Sequence, residues 1–94
     1  MSGEAARQVE IINIKGLHAR ASRKFAEMAT TFQSKIVVRR DGDPTTAAGT
    51  SLMDLMMLGA GIGSTIYLTA EGPDADAALE ALCGLVSSRF GESE

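Results

Sequence analysis

A chain of 94 residues is enough for one domain and too short for two. Apolar residues make up 45% and aromatics only 4%, so a modest core must be filled by aliphatic and methionine side chains. A formal net charge of −3 argues against a nucleic-acid partner, one cysteine excludes an internal disulfide and offers no metal cluster, and no apolar run is long enough to span a bilayer.

Met1 to Gln8 is small and polar, with no apolar stretch like that of a secretory leader. It reads as a loose lead-in, and a cytoplasmic location is the expectation. Val9-Glu10-Ile11-Ile12-Asn13-Ile14 is rich in β-branched residues and predicts the first strand. Gly16 lets the chain turn tightly after it. Phe25, Met28, Ala29 and Phe32 then fall at i, i+3, i+4 and i+7, one face of a helix. His18, the only histidine, lies at or just before the start of that helix, with Arg20 in its first turn.

Lys35 to Arg40 predicts a second strand, with Ile36 and Val38 facing inward and Val37 and Arg39 on the opposite face. Arg39-Arg40 reads as a solvated strand end. Asp41-Gly42-Asp43-Pro44 is a turn, and Thr45 to Thr50 pairs back as a short strand. Ser51 is a natural N-cap for a short helix through Leu58, with Asp54 three residues on, as in a capping box. In that helix Leu55 and Leu58 are expected to point in, and Leu52, Met53 and Met56 to point out. Sequence alone leaves two readings of those three open: packing under loops, or an exposed partner site.

Gly59 to Ser64 has glycine spacing like the start of a dinucleotide fingerprint, but no strand precedes it and no helix follows, so it reads as a loop. Thr65 to Ala70 alternates as a strand. Pro73-Asp74 opens the last helix, with Leu79, Leu82 and Val86 along its inner stripe and Cys83 nearby as a buried small hydrophobe. Asp74, Asp76 and Glu80 suit the positive end of that helix and suggest no catalytic pair. The expectation is one domain over 1–94, with residues 1–7 and 91–94 as loose ends. The order βαββαβα suggests a four-stranded sheet covered on one face by three helices. Glu10, Arg39, Tyr67 and Thr69 would lie on its open face.

The chemistry gathers at the first helix start. N–H groups of a first turn have no partners within the helix, and the dipole adds positive charge there. Together they form an anion site suited to phosphate. Arg20 can add a planar donor fork. A neutral imidazole in that site carries a ring-nitrogen lone pair and can accept a phosphoryl group. The plainer reading is that His18 caps the helix or simply lies at the surface.

Gly16-Leu17-His18-Ala19-Arg20-Ala21-Ser22 resembles the active-site segment of HPr, the histidine-containing phosphocarrier of the bacterial sugar phosphotransferase system. Ser51-Leu52-Met53 with Leu58-Gly59 resembles the family's second signature, around its regulatory serine. Ala70-Glu71-Gly72 with Asp74 resembles the start of its last helix. The likeness runs from about Val9 to Val86. Two departures stand out. Ala21 replaces the proline usual after the motif's arginine, and Lys15 stands where many relatives carry a small polar residue.

The resemblance implies an α+β, open-faced β-sandwich with an antiparallel sheet. It implies phosphoryl acceptance on His18 Nδ1, phosphate stabilisation by Arg20, and no metal or organic cofactor. It implies docking of enzyme I and of phosphotransferase A domains on the surface made by the His18 helix and the 51–58 helix, with Leu52, Met53, Met56, Arg23 and Lys24 taking part. Ser51 reads as an ordinary cap from sequence; by resemblance it is a regulatory site for the HPr kinase/phosphorylase. A monomer without membrane insertion is expected. The alternatives are a regulatory HPr-like docking module acting mainly through its serine-phosphorylated form, and a small-molecule binding domain, which would need an enclosed pocket. Sugar import and the nitrogen-related branch are both open.

Overall fold

The computed structural model describes residues 3–92; Met1, Ser2, Ser93 and Glu94, expected to be loose ends, lie outside them. In chain order the elements are β1 (Gly3–Glu10), α1 (Ala19–Ala29), β2 (Lys35–Arg40), β3 (Thr46–Ala48), α2 (Leu52–Met57), β4 (Thr65–Gly72) and α3 (Ala75–Ser87), closed by a short 3-10 turn at Arg89–Gly91. The strands form one antiparallel sheet in the order β1-β4-β2-β3.

Period-two alternation decides the faces of the sheet. Ile36 and Val38 of β2 and Ile66, Leu68 and Ala70 of β4 are buried on the helix side. Phe25 and Ala29 of α1, Leu55 of α2, and Leu79, Leu82 and Val86 of α3 meet them, with Leu58 just past α2. On the other face the Arg39 guanidinium lies 4.8 Å from the Tyr67 ring centre, across the β2–β4 pair. No helix among the described residues is long and apolar enough to cross a membrane.

The first strand differs from expectation at both ends. Gly3 to Gln8 is not a loose lead-in; it pairs residue for residue with β4, from Gly3 opposite Gly72 to Glu10 opposite Thr65. An edge strand needs only backbone partners on one side, so small and polar residues suffice. Ile11-Ile12-Asn13-Ile14 is not strand, because β4 begins at Thr65 and offers no partner beyond Glu10. It keeps its alternation as a loop, with Ile11 and Asn13 buried and Ile12 and Ile14 exposed. Ile11 is fastened by Ile11 N–H to Ser64 O and Gly63 N–H to Ile11 O, both 2.8 Å.

Two local expectations also shift. Asp54 does not complete a capping box; its carboxylate accepts from Ala48 N–H at 3.2 Å. Asp74 makes no cap hydrogen bond to α3. It accepts from Gln33 N–H and Ser34 N–H, both 2.9 Å, and from the Ser34 hydroxyl at 2.5 Å, tying the turn after α1 to the start of α3. Cys83 is half-buried, and that burial pushes its thiol up.

Candidate functional site: an imidazole at a helix mouth

The loop before α1 is clamped to a second loop. Gly16 has φ +64°, and a Cβ there would lie 2.5 Å from Ala60 O and 2.7 Å from Gly61 Cα. Only glycine fits both the backbone angle and the close approach. Leu17 N–H donates to Ala60 O at 2.9 Å, and the Leu17 side chain is buried. The buried Asn13 closes the turn from the other side, its Nδ2 donating to Gly16 O at 2.9 Å. Ser22, also buried, donates from its hydroxyl to Leu17 O at 3.0 Å and from its N–H to His18 O at 2.8 Å.

These contacts leave His18 as the N-cap of α1, with extended backbone (φ −72°, ψ 179°). Its Nδ1 accepts from Arg20 N–H at 3.3 Å, doing weakly what a capping oxygen usually does. The Ala19 and Ala21 amides make no hydrogen bond among the described residues. Arg20 is exposed and has no ion-pair partner among them. His18, Arg20, Lys15, Lys24 and Glu92 border a cleft of about 310 Å³. Larger hollows of about 530 and 730 Å³ lie on the open sheet face and include none of the predicted site residues. The chemistry gathers at the smaller one.

Glu92 overturns the expectation of a loose end over residues 91 and 92. Its Oε2 lies 2.5 Å from His18 Nε2, and its Oε1 accepts from Asn13 Nδ2 at 3.1 Å. The imidazole side chain is 26% exposed, with its Nε2 edge against Glu92 and its Nδ1 edge toward the Arg20 amide. Burial alone would raise the Glu92 carboxyl, but hydrogen bonds from His18 and Asn13 and the charges of His18 and Lys15 outweigh it, and its pKa is lowered. Glu92 and Asn13 were not singled out from the sequence. Two faint signals pointed to them: an aromatic followed by glycine after the last helix, and an asparagine amid isoleucines.

The remaining predicted residues divide. Ser51 caps α2, its hydroxyl oxygen accepting from Asp54 N–H at 3.2 Å. Leu52, Met53 and Met56 are exposed, Met53 at 67%, as is Met57. Arg23 pairs with Glu27 at 3.6 Å on the surface. Lys24 is half-buried and donates to Phe90 O at 2.6 Å, which ties α1 to the chain's end. Lys15 is exposed.

A small open-faced sandwich with an imidazole at the mouth of its first helix is the layout of a histidine phosphocarrier. A family profile described as "PTS HPr component phosphorylation site" matches residues 5–88. The chain is 48% identical over 88 residues to phosphocarrier protein HPr of Cupriavidus necator, covering 94% of this chain and 97% of that one. It is 46% identical over 87 residues to phosphocarrier protein NPr of Shewanella violacea, covering 93% of each. A crystal structure of HPr from Thermoanaerobacter tengcongensis superposes with a TM-score of 0.88 at 38% identity, covering 96% of this chain and 99% of that one. This chain belongs to the HPr family of phosphocarriers.

Proposed function

We propose that this phosphocarrier takes its phosphoryl group on His18 Nδ1 from enzyme I and passes it to a histidine of a phosphotransferase A domain. The observation that carries the reading is the placement of Nδ1 at the α1 mouth, against the Arg20 amide and beside the Ala19 and Ala21 amides, which are unpartnered among the described residues. When Nδ1 is phosphorylated it can no longer accept from Arg20 N–H, and that donor turns to a phosphate oxygen. Donors already aimed at the transferring oxygens need no reorganisation during the reaction. Arg20, exposed and unpaired among the described residues, closes over the same oxygens as a donor fork. Ala21 in place of proline adds one N–H to this mouth. No metal or organic cofactor is needed for this chemistry.

Leu52, Met53 and Met56, exposed on the helix that packs against α1, are the docking surface in this reading, with Arg23 and Lys24 contributing positive charge. Adaptable methionines suit a face that meets several partners in turn. Ser51 is the site at which an HPr kinase/phosphorylase would act; its phosphate would place about −1.5 to −2 charges next to that apolar face and near the Asp54 carboxylate. The protein works as a monomer in the cytoplasm. A purely regulatory role is disfavoured because His18 and Arg20 are both present at the helix mouth.

The test is incubation with enzyme I and labelled phosphoenolpyruvate. Acid-labile label on the wild type and none on His18→Ala supports the carrier; label that survives in His18→Ala refutes it. Acid-stable label from ATP and the kinase, absent in Ser51→Ala, reports the regulatory input.

A further inference from the structure

The far edge of the His18 ring is held by a built arrangement. Glu92 Oε2 lies 2.5 Å from Nε2. A charged carboxylate can only accept, so this contact assigns the ring proton to Nε2 and leaves the lone pair on Nδ1. The second Glu92 oxygen is fixed by Asn13 Nδ2, and that amide is fixed in turn by Gly16 O.

Glu92 reaches the ring through a strained reversal of the chain. Arg89, Phe90 and Gly91 have φ of +60°, +56° and +76°. Left-handed backbone at an arginine and a phenylalanine persists only where the surroundings enforce it. Here the Phe90 side chain is fully buried, and its carbonyl accepts from Lys24 Nζ at 2.6 Å. Core packing therefore anchors Phe90, and the turn delivers Glu92 to the site.

We propose that Glu92 is a positioning residue for phosphoryl transfer, holding His18 with Nε2–H on its carboxylate and Nδ1 toward the α1 mouth, and balancing the positive charge that develops on the ring. The inference rests on His18 being the acceptor. In the step, the bond between phosphorus and the donor breaks and its electron pair stays with the donor. The Nδ1 lone pair forms the new N–P bond. No proton leaves the ring, because Nε2 keeps its own, shared with Glu92. Onward transfer reverses this and returns the electron pair to Nδ1.

The experiment compares wild type, Glu92→Gln and Glu92→Ala, each charged by enzyme I and phosphoenolpyruvate, with ¹⁵N spectra of the His18 ring. A hydrogen bond to a charged group is strong enough that Glu92→Ala should slow labelling about tenfold. Glu92→Gln, which still accepts from Nε2–H but carries no charge, should lose less. The Nε2-bound proton should be slow to exchange in wild type and Glu92→Gln, and fast in Glu92→Ala. A wild-type rate in Glu92→Ala overturns the proposal. So does a slowed rate with unchanged ring signals, which would make Glu92 only an anchor for the chain's end. A wild type that takes no label sinks the acceptor reading instead, and leaves the ring signals to judge the geometry.

Discussion

Replacing Gly16 with alanine tests whether the loop that presents His18 is truly clamped. The backbone there has φ +64°, a left-handed angle that costs an L-residue roughly 1–2 kcal/mol. The new Cβ would also sit 2.5 Å from Ala60 O and 2.7 Å from Gly61 Cα, below the 3.0 Å that real Cβ atoms respect, and both neighbours are backbone. The two loops must separate, and the 2.9 Å bond from Leu17 N–H to Ala60 O is lost, worth about 1 kcal/mol more. The sum is roughly 2–3 kcal/mol, a large part of the ~5–15 kcal/mol available to a small domain. In a domain of this size that lowers the melting temperature by more than about 8 °C. Gly59→Ala is the internal control. Gly59 has the same φ of +64°, and nothing lies within 4 Å of its added Cβ. It should lose only the backbone part. Thermal melts followed by circular dichroism read both variants, and labelling by enzyme I reads the site. If Gly16→Ala melts within a degree or two of Gly59→Ala, the close approach is not what fixes the His18 loop.

Three further outcomes follow from the same geometry. The Asp74 carboxyl is lowered chiefly by the Ser34 hydroxyl and the Gln33 amide, against the opposing effect of burial. A carboxyl lowered on folding contributes stability above its unfolded pKa and loses it as pH falls through the folded one. Urea melts should thus show Asp74→Ala trailing wild type most at neutral pH, the gap narrowing in acid; a gap constant with pH refutes the linkage. Ser51→Ala removes the α2 cap and should cost about 1 kcal/mol in the same melts. Ser51→Asp keeps a capping oxygen, so it should retain stability yet raise the KM for transfer from enzyme I. Met53→Ser with Met56→Ser should change stability by no more than about 0.5 kcal/mol each, since both are exposed, while also raising that KM. An unchanged KM would remove α2 from the docking face.

Much of the architecture was readable because burial imposes a simple period. Ile36 and Val38, Ile66 and Leu68, and Leu79, Leu82 and Val86 all point where alternation or helical spacing sends them. Leu55 and Leu58 are buried and Leu52, Met53 and Met56 exposed, as expected. What was not readable depends on partners distant in sequence. Ile11 to Ile14 has strand composition, but strand needs a neighbour, and β4 would have to begin four residues earlier, at Gly61, to supply one. Gly3 to Gln8 lacks strand composition and is strand because β4 is there. Asp74 opens α3 as expected, but its carboxylate is taken by two amides and a hydroxyl some forty residues earlier. Glu92 lies 74 positions from His18, and the link runs through a left-handed turn at Arg89 and Phe90 that no local propensity favours.

The three helix mouths explain why the anion site is at α1 and not at the others. The first turn of α2 contains Asp54 and that of α3 contains Asp76, so each already has negative charge near its dipole. The first turn of α1 contains no acidic residue and has Arg20 instead. A cation there opposes the dipole, by about 0.3–1 kcal/mol at an exposed position. Glu92 does not relieve that, because its oxygens are engaged with Nε2 and Asn13 on the opposite edge of the ring. Among the described residues the α1 mouth is thus left with free amides, an unpaired guanidinium and an imidazole nitrogen, while the one carboxylate in the cleft, Glu92, is engaged on the far edge of the ring. A phosphoryl group on Nδ1 would bring negative charge to the mouth side of the ring. The same donors cannot grip it too firmly, since a carrier must release its cargo. The Arg20 side chain, solvent-exposed and without an ion-pair partner among the described residues, can swing aside when the next acceptor docks.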